Sequence, residues 1–271
     1  MQFGNELPLN DEKYIPPEDG LDLVLTIDEM IQYITEKYLD QALEDNAPVD
    51  YASCVVMDPK NGDVLAMATA PDFDPNEPFT HTNEEMISKW SEMTSAEKTT
   101  ALQNLWRNRA ITDTYEPGSI FKCVTSAIAL EEGLVNDIDT VSFNCAGFLN
   151  IEGWQMKCWR YYNPHGSQSL RKGLMNSCNP VFMGIALRIG KNTFYNYLSA
   201  LGVAQKTGID LPIESLGYSG KSIAPDLLLN YSIGQYDSYT PIQLSQYITT
   251  IASDGKQDMS VPHDLPNCSA K

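Results

Sequence analysis

The stretch Pro117-Gly118-Ser119-Ile120-Phe121-Lys122, with Ser177-Cys178-Asn179 further along, decides the reading of this chain. Pro117 and Gly118 make a turn, and Ile120 to Leu130 reads as a buried, largely apolar helix. Ser119 is therefore expected at a helix N-terminus with its oxygen facing the exposed N–H groups. Lys122 follows one turn later on the same face. A lysine partly desolvated in an apolar helix gives up some of its preference for the charged form and can take a serine proton, so the pair reads as a nucleophile with its base. Ser177 adds a hydroxyl that both donates and accepts, and Asn179 offers a carbonyl and an amide at fixed geometry. Together these groups suit acyl transfer. The bland readings stand beside this one: a Ser-x-x-Lys spacing also arises from a capping serine and a surface lysine, and Ser177 could cap the helix that Pro180 opens.

Outward from these motifs, residues 1 to 20 are polar, contain Pro16-Pro17 and read as an extended lead-in. Thr26 is expected as an N-cap with Glu29 as capping-box partner, opening a helix to about Glu44. Ala52 to Met57 and Asp63 to Thr69 flank Asn61-Gly62, which predicts an antiparallel hairpin. Pro71 to Pro78 reads as a loop and Asn83 to Asn108 as helical. From Gly133 to about Gly166 the periodicity is weak, which predicts a long loop that is functional or externally braced. Helices are expected again over Leu170 to Met175, Pro180 to Ile189, Thr193 to Leu201 and Pro241 to about Ser253. Two strands among many helices leave an antiparallel sheet incomplete.

The 271 residues, 42% of them apolar, suffice for one large domain or two small ones. A net charge of −18 argues against a nucleic-acid partner, whose phosphates would be repelled, and against anionic lipid headgroups. No apolar run approaches a membrane span, and Met1-Gln2-Phe3-Gly4 lacks the basic start and apolar core of a signal peptide.

Cys145, Cys158, His165 and Cys178 form a second constellation. Three thiolates and an imidazole suit tetrahedral zinc in a closed, structural site. Their spacing is longer than in a zinc finger, so a Cys145–Cys158 disulfide and reduced buried thiols remain open. Cys54, Cys123 and Cys268 read as core or accidental cysteines, and His81 and His263 as solvent-facing loop residues. Asp237 is an acid near the cleft with no assigned role.

The run Asn108-Arg109-Ala110 through Tyr115-Glu116-Pro117-Gly118-Ser119-Ile120-Phe121-Lys122 resembles the active-site approach of class B penicillin-binding proteins. Further segments resemble the family in the same order: Leu25-Thr26-Ile27-Asp28, Asp58-Pro59-Lys60-Asn61-Gly62, Thr207-Gly208-Ile209-Asp210-Leu211-Pro212, and Ser232-Ile233-Gly234-Gln235 before Thr240-Pro241. The resemblance covers roughly residues 1 to 256 and is nearest the elongation type, with the sporulation type beside it. It implies an α+β class, in the penicillin-binding protein and serine β-lactamase-like transpeptidase fold, with helices around an antiparallel sheet. It implies that Ser119 attacks the D-Ala-D-Ala carbonyl of a peptidoglycan stem peptide, that Lys122 is the base, that Ser177 relays a proton and that Asn179 binds the substrate amide. β-Lactams would acylate the same serine. Some members hold zinc beside the active site, and Cys145, Cys158, His165 and Cys178 match those ligand positions.

The resemblance further implies a membrane anchor and a pedestal ahead of Met1. The parent protein would then sit on the outer face of the cytoplasmic membrane and meet elongation-complex proteins through regions outside this chain. The family's third motif, a Lys-Thr/Ser-Gly strand, is expected beyond Thr240-Pro241; Lys206-Thr207-Gly208 precedes a different family segment and is not that motif. Residues 21 to 256 thus read as a partial transpeptidase domain, truncated at both ends and impaired in activity, and 257 to 271 as an unrelated tail. The rivals are a non-catalytic degenerate fragment or half of a split enzyme, and a serine β-lactamase or penicilloyl-sensing receptor. The flanking segments and the cysteine cluster speak against the last.

Overall fold

A computed structural model describes residues 20, 22–151, 153–218 and 227–255. The expected lead-in (apart from Gly20) and tail, with His263 and Cys268, lie outside the described residues. Helix α1, Glu29–Asp45, opens on Asp28, whose carboxylate accepts the Ile31 N–H at 2.9 Å. Thr26, the expected cap, instead donates its hydroxyl to Val64 O at 2.7 Å. The chain at Thr26 is still extended alongside a strand, so the cap moves to the next side chain that can accept, the acid two residues on. The Gln32 amide then brackets Met67, donating to its carbonyl at 3.0 Å and accepting from its N–H at 2.8 Å, and so fastens α1 to that strand.

The predicted hairpin is present: β1 (Ala52–Met57) pairs antiparallel with β2 (Val64–Ala70), in register Ala52↔Ala70 with a shift between Val56 and Met57. Gly62 takes the left-handed φ of +77° that its turn requires. The expected helical stretch after residue 83 divides into α2 (Glu84–Lys89) and α3 (Ser95–Leu105). The division falls where Thr94 and Glu97 form a capping box that starts a new helix. His81 is half-buried rather than solvent-facing, and its Nδ1 accepts from Asn83 N at 3.1 Å.

The region read as a long loop holds four strands. β3 (Val141–Cys145) pairs with β6 (Gly166–Ser169), and β4 (Phe148–Ile151) pairs with β5 (Trp154–Lys157), all antiparallel. Each has only four or five residues, with at least one exposed polar position, too few for an alternation to stand out. The described strands thus make three two-stranded sheets among helices.

The remaining helices are α4 (Arg109–Thr112), α5 (Lys122–Glu131), α6 (Leu170–Met175), α7 (Asn179–Ile189), α8 (Lys191–Ala200), α9 (Leu227–Tyr231) and α10 (Pro241–Ala252). Two apolar clusters meet at α5. Phe121, Val124 and Ile128 pack with Phe194, Leu198, Tyr239 and Tyr247, whereas Ala129 joins Phe143, Leu170, Phe182 and Ile185. Phe121 is fully buried and stacks on Tyr239 with ring centroids 5.6 Å apart. Burial of such a ring contributes about 2–3 kcal/mol, and it anchors the turn that carries Ser119. Lys206-Thr207-Gly208 lies in irregular chain, its Thr207 N–H donating to Glu214 Oε1 at 2.6 Å. Among the described residues no helix is long and apolar enough to cross a membrane.

Candidate active site

Gly118–Phe121 form a single 3-10 turn that leads directly into α5. Ser119 is therefore not a helix cap, and Pro117, the residue before the turn, makes no side-chain cap either. The turn is instead held from outside. Gly118 N donates to Gly234 O at 2.8 Å, Tyr247 Oη donates to Ile120 O at 3.0 Å, and Thr125 Oγ1 donates to Ser232 O at 2.8 Å. Ser119, at the rim, is exposed.

Lys122, one turn on, is fully buried. Its Nζ lies 2.9 Å from Ser119 Oγ, 2.9 Å from Ser177 Oγ, 3.1 Å from Ser177 O and 2.7 Å from Asn179 Oδ1. The two serine oxygens are 2.8 Å apart. All four residues singled out in the sequence thus converge on one amine. Burial lowers the Lys122 pKa from 10.5 to about 8, against the opposing pull of negative charge at Cys178 and Cys158. An ammonium has three protons for these four acceptors, whereas the neutral amine keeps a lone pair that can receive the Ser119 proton.

The Ser177 hydroxyl reaches this point because of how α6 ends. Ser177 N donates to Leu174 O and Cys178 N to Gly173 O, both at 2.9 Å, the paired bonds of a Schellman terminus. Ser177 occupies the left-handed position of that terminus, at φ +48°, where glycine is the usual residue. A serine there carries a backbone cost of about 1 kcal/mol, sustained by the hydrogen bonds that its carbonyl and hydroxyl accept from Lys122. It is not the cap of α7; that position falls to Cys178, which makes no side-chain cap bond.

Cys178 belongs to the second constellation. Pairing of Cys145 with Gly166 across β3 and β6 brings it beside His165, and Cys158 N donates to Gly147 O at 2.8 Å. One ligand atom from each of Cys145, Cys158, His165 and Cys178 lies within 4.8 Å of all the others. The described cysteines are free thiols. Cys158 Sγ is 3.5 Å from His165 Nδ1, which matches the ~3.5 Å edge of a tetrahedron with ordinary zinc–sulfur and zinc–nitrogen bonds. His165 Nε2 is buried without a hydrogen-bond partner. Burial opposes ionisation of all three thiols. At Cys145 the N–H groups of Gly147 and His165, aided by the other two thiols, outweigh it and lower the pKa; Cys158 stays raised, and Cys178 is pushed up to about 12. A soft, four-membered donor set of this kind fits a metal cation.

Three residues near the site are not legible as such in the sequence. Gly234 stands out there only as part of Ser232-Ile233-Gly234-Gln235, yet it lies against the nucleophile turn. Trp159 donates its indole N–H to Asn176 O at 3.0 Å, and Gln168 accepts from Asn176 Nδ2 at 2.7 Å, so both hold the residue before Ser177. Only the side-chain network reveals the last two. Asp237 is buried and accepts the hydroxyl of Tyr239, a member of the first apolar cluster, at 2.8 Å.

The family described as penicillin binding protein transpeptidase domain matches residues 52–262. Stage V sporulation protein D of Bacillus subtilis is 35% identical over 254 residues, which cover 93% of this chain and 36% of that protein. Penicillin-binding protein 2A of the same organism is 32% identical over 258 residues, covering 87% of this chain and 32% of that one. The chain therefore spans about a third of the length of these curated relatives. A crystal structure of penicillin-binding protein 3 from Mycobacterium tuberculosis, complexed with aztreonam, superposes with a TM-score of 0.70 at 28% identity, over 85% of this chain and 47% of that chain.

Proposed function

The chain belongs to the penicillin-binding protein transpeptidase family, and from that premise we propose that it carries the acyl-serine centre of a peptidoglycan D,D-transpeptidase. One observation supports this most: Lys122, fully buried, contacts Ser119, Ser177 and Asn179 at once, while Ser119 alone of the two serines is exposed. The neutral Lys122 amine takes the Ser119 proton as Oγ attacks the penultimate D-alanine carbonyl of a stem peptide. The Ser119 N–H faces the developing oxyanion as one half of its cradle. Ser177 passes the proton to the departing D-alanine nitrogen, leaving an acyl-enzyme, and Asn179 holds the substrate amide. The amine of a neighbouring strand then displaces Ser119 and forms the cross-link. A β-lactam enters the same first step, with its ring amide as the bond broken. In a longer parent, we place this centre on the outer face of the cytoplasmic membrane, beside the proteins of wall elongation.

Mass mapping of a penicillin adduct on the longer parent protein, which would supply the Lys-Thr/Ser-Gly strand, tests the nucleophile. The penicilloyl group is expected on the peptide that contains Ser119; an adduct at another serine would sink the assignment.

We further propose that Cys145, Cys158, His165 and Cys178 hold a structural zinc through three sulfurs and an imidazole nitrogen. The metal would supply positive charge that clamps β3, β5, β6 and the start of α7 together, and with them the Ser177 turn. Elemental analysis of reduced protein is expected to find about one zinc per chain. Cys158→Ser or His165→Ala should lower both that content and the melting temperature. Protein free of metal, with Cys145 disulfide-bonded to Cys158, would decide against zinc.

A further inference from the structure

Gln168, in β6, is 1% exposed, and its Oε1 accepts from Asn176 Nδ2 at 2.7 Å. That bond fixes which end of the amide faces which way. Its Nε2 is buried without a conventional hydrogen-bond partner, and the side chain acts on the Cys178 sulfur in the sense that favours the thiolate. A buried amide N–H with no good acceptor costs about 1–3 kcal/mol, so the group is poised for an acceptor stronger than a thiol. A thiolate is such an acceptor, and Cys178 becomes one on binding a divalent metal.

We propose that Gln168 is a positioning residue of the metal cluster, its amide N–H donating to the metal-bound sulfur of Cys178 while its carbonyl oxygen holds Asn176. This rests on the reading that the three cysteines and His165 take a metal. Three thiolates around a dication leave the cluster with one net negative charge in a buried setting, and N–H donors must spread it. The backbone supplies them at two of the sulfurs: Gly147 and His165 at Cys145, and Arg160 at Cys158. Gln168 is a side-chain member of this set, and so the one a substitution can remove. It also joins two sites. Asn176 precedes Ser177, and its carbonyl is held by Trp159, so one amide spans from a metal ligand to the turn that meets Lys122.

Two isosteric variants separate this role from mere packing. Gln168→Glu keeps an oxygen to accept from Asn176 but turns a carboxylate toward the sulfur; Gln168→Met removes both polar ends. Zinc affinity, measured by chelator competition, is expected to fall ~10–100-fold in each, with the larger loss in Gln168→Glu. In cobalt-loaded protein the sulfur-to-cobalt charge-transfer band should shift in both variants. A residue that only holds Asn176 predicts a wild-type affinity and band for Gln168→Glu, and that result would overturn the proposal. If Gln168→Glu fails to fold, unchanged affinity and band in Gln168→Met overturn it equally. Wild-type protein that takes up no zinc removes both this inference and the metal reading beneath it. Tight wild-type binding with unaltered variants removes this inference alone.

Discussion

Methionine in place of Lys122 is expected to slow acylation of Ser119 by a penicillin ~10²–10⁴-fold, the range for loss of a positioned general base. The reason lies in the burial that lowers the Lys122 pKa from 10.5 to about 8. The wild-type acylation rate should rise as pH climbs from about 6 and level off above about 8, while the methionine variant stays slow and flat. Stability moves in a linked way. Below pH 8 the lysine is protonated both folded and unfolded, and the fold bears the cost of an ammonium kept out of water. Between 8 and 10.5 the unfolded chain binds more protons at Lys122, so this group's contribution to stability rises with pH across that window and is constant outside it. The full span is about 3 kcal/mol, and methionine should abolish it. Relief of that cost at neutral pH offsets the hydrogen bonds that Nζ no longer makes, so the variant should melt near the wild type. Stopped-flow acylation across pH, beside thermal melts, checks both halves. A wild-type profile without pH dependence, or a methionine variant that acylates at the wild-type rate, would rule out Lys122 as the base.

How much of this could be read from the sequence depended on the length of the pattern involved. The hairpin at Asn61-Gly62 was legible because its turn chemistry and both strands are local, and the observed strands fall within a residue of the expected ones. The helices from Leu170 to Met175 and from Pro241 to Ala252 were legible through their apolar periodicity and their proline and serine or threonine starts. The strands between Val141 and Ser169 were not, since all four are too short to show an alternation of their own and β3 finds its partner β6 only beyond the β4–β5 hairpin. In the site, Ser119, Lys122, Ser177 and Asn179 were found through motif spacing, and the structure brings them together. The way Ser119 is held differed: the helix start expected there is a 3-10 turn braced by distant groups, whereas Ser177 sits, as expected, at the junction after a short helix.

Alanine at Gly234 is expected to destabilise the fold by about 2–4 kcal/mol, from overpacking and a left-handed backbone together. Gly234 has φ +76°, and an added methyl would collide with Gly118 O and come within 2.8 Å of both Gly118 N and the Phe121 Cβ. Two of these neighbours are rigid backbone and the third belongs to a fully buried ring, so the nucleophile turn itself must move. A displacement of about 1 Å at the reacting oxygen is enough to cost ~10²-fold in acylation, and that loss should persist under conditions where the variant is fully folded. Gly184→Ala in α7 is the control. Its added methyl meets nothing within 4 Å, so stability should be unchanged or higher by up to ~1 kcal/mol. Denaturant unfolding and acylation rates measured on both variants test the contrast; a Gly234→Ala protein as stable and as reactive as the wild type would show that the close approach to Gly118 does not matter.

The bracing of Ser119 also bears on how the chain acquires reactivity while folding. Ser119 meets Ser177 across 58 residues, Thr125 meets Ser232 across 107, and Tyr247 meets Ile120 across 127. Such pairings have high sequence separation, and their loop-closure entropy must be overcome before any of them forms. An isolated turn and its helix would hold Ser119 and Lys122 near each other but lack everything that dries and aims them. Reactivity is therefore expected only of the completed topology and not of any locally folded intermediate, so that, on the proposed reading, a covalent penicillin adduct would count native molecules in a mixed population of conformations.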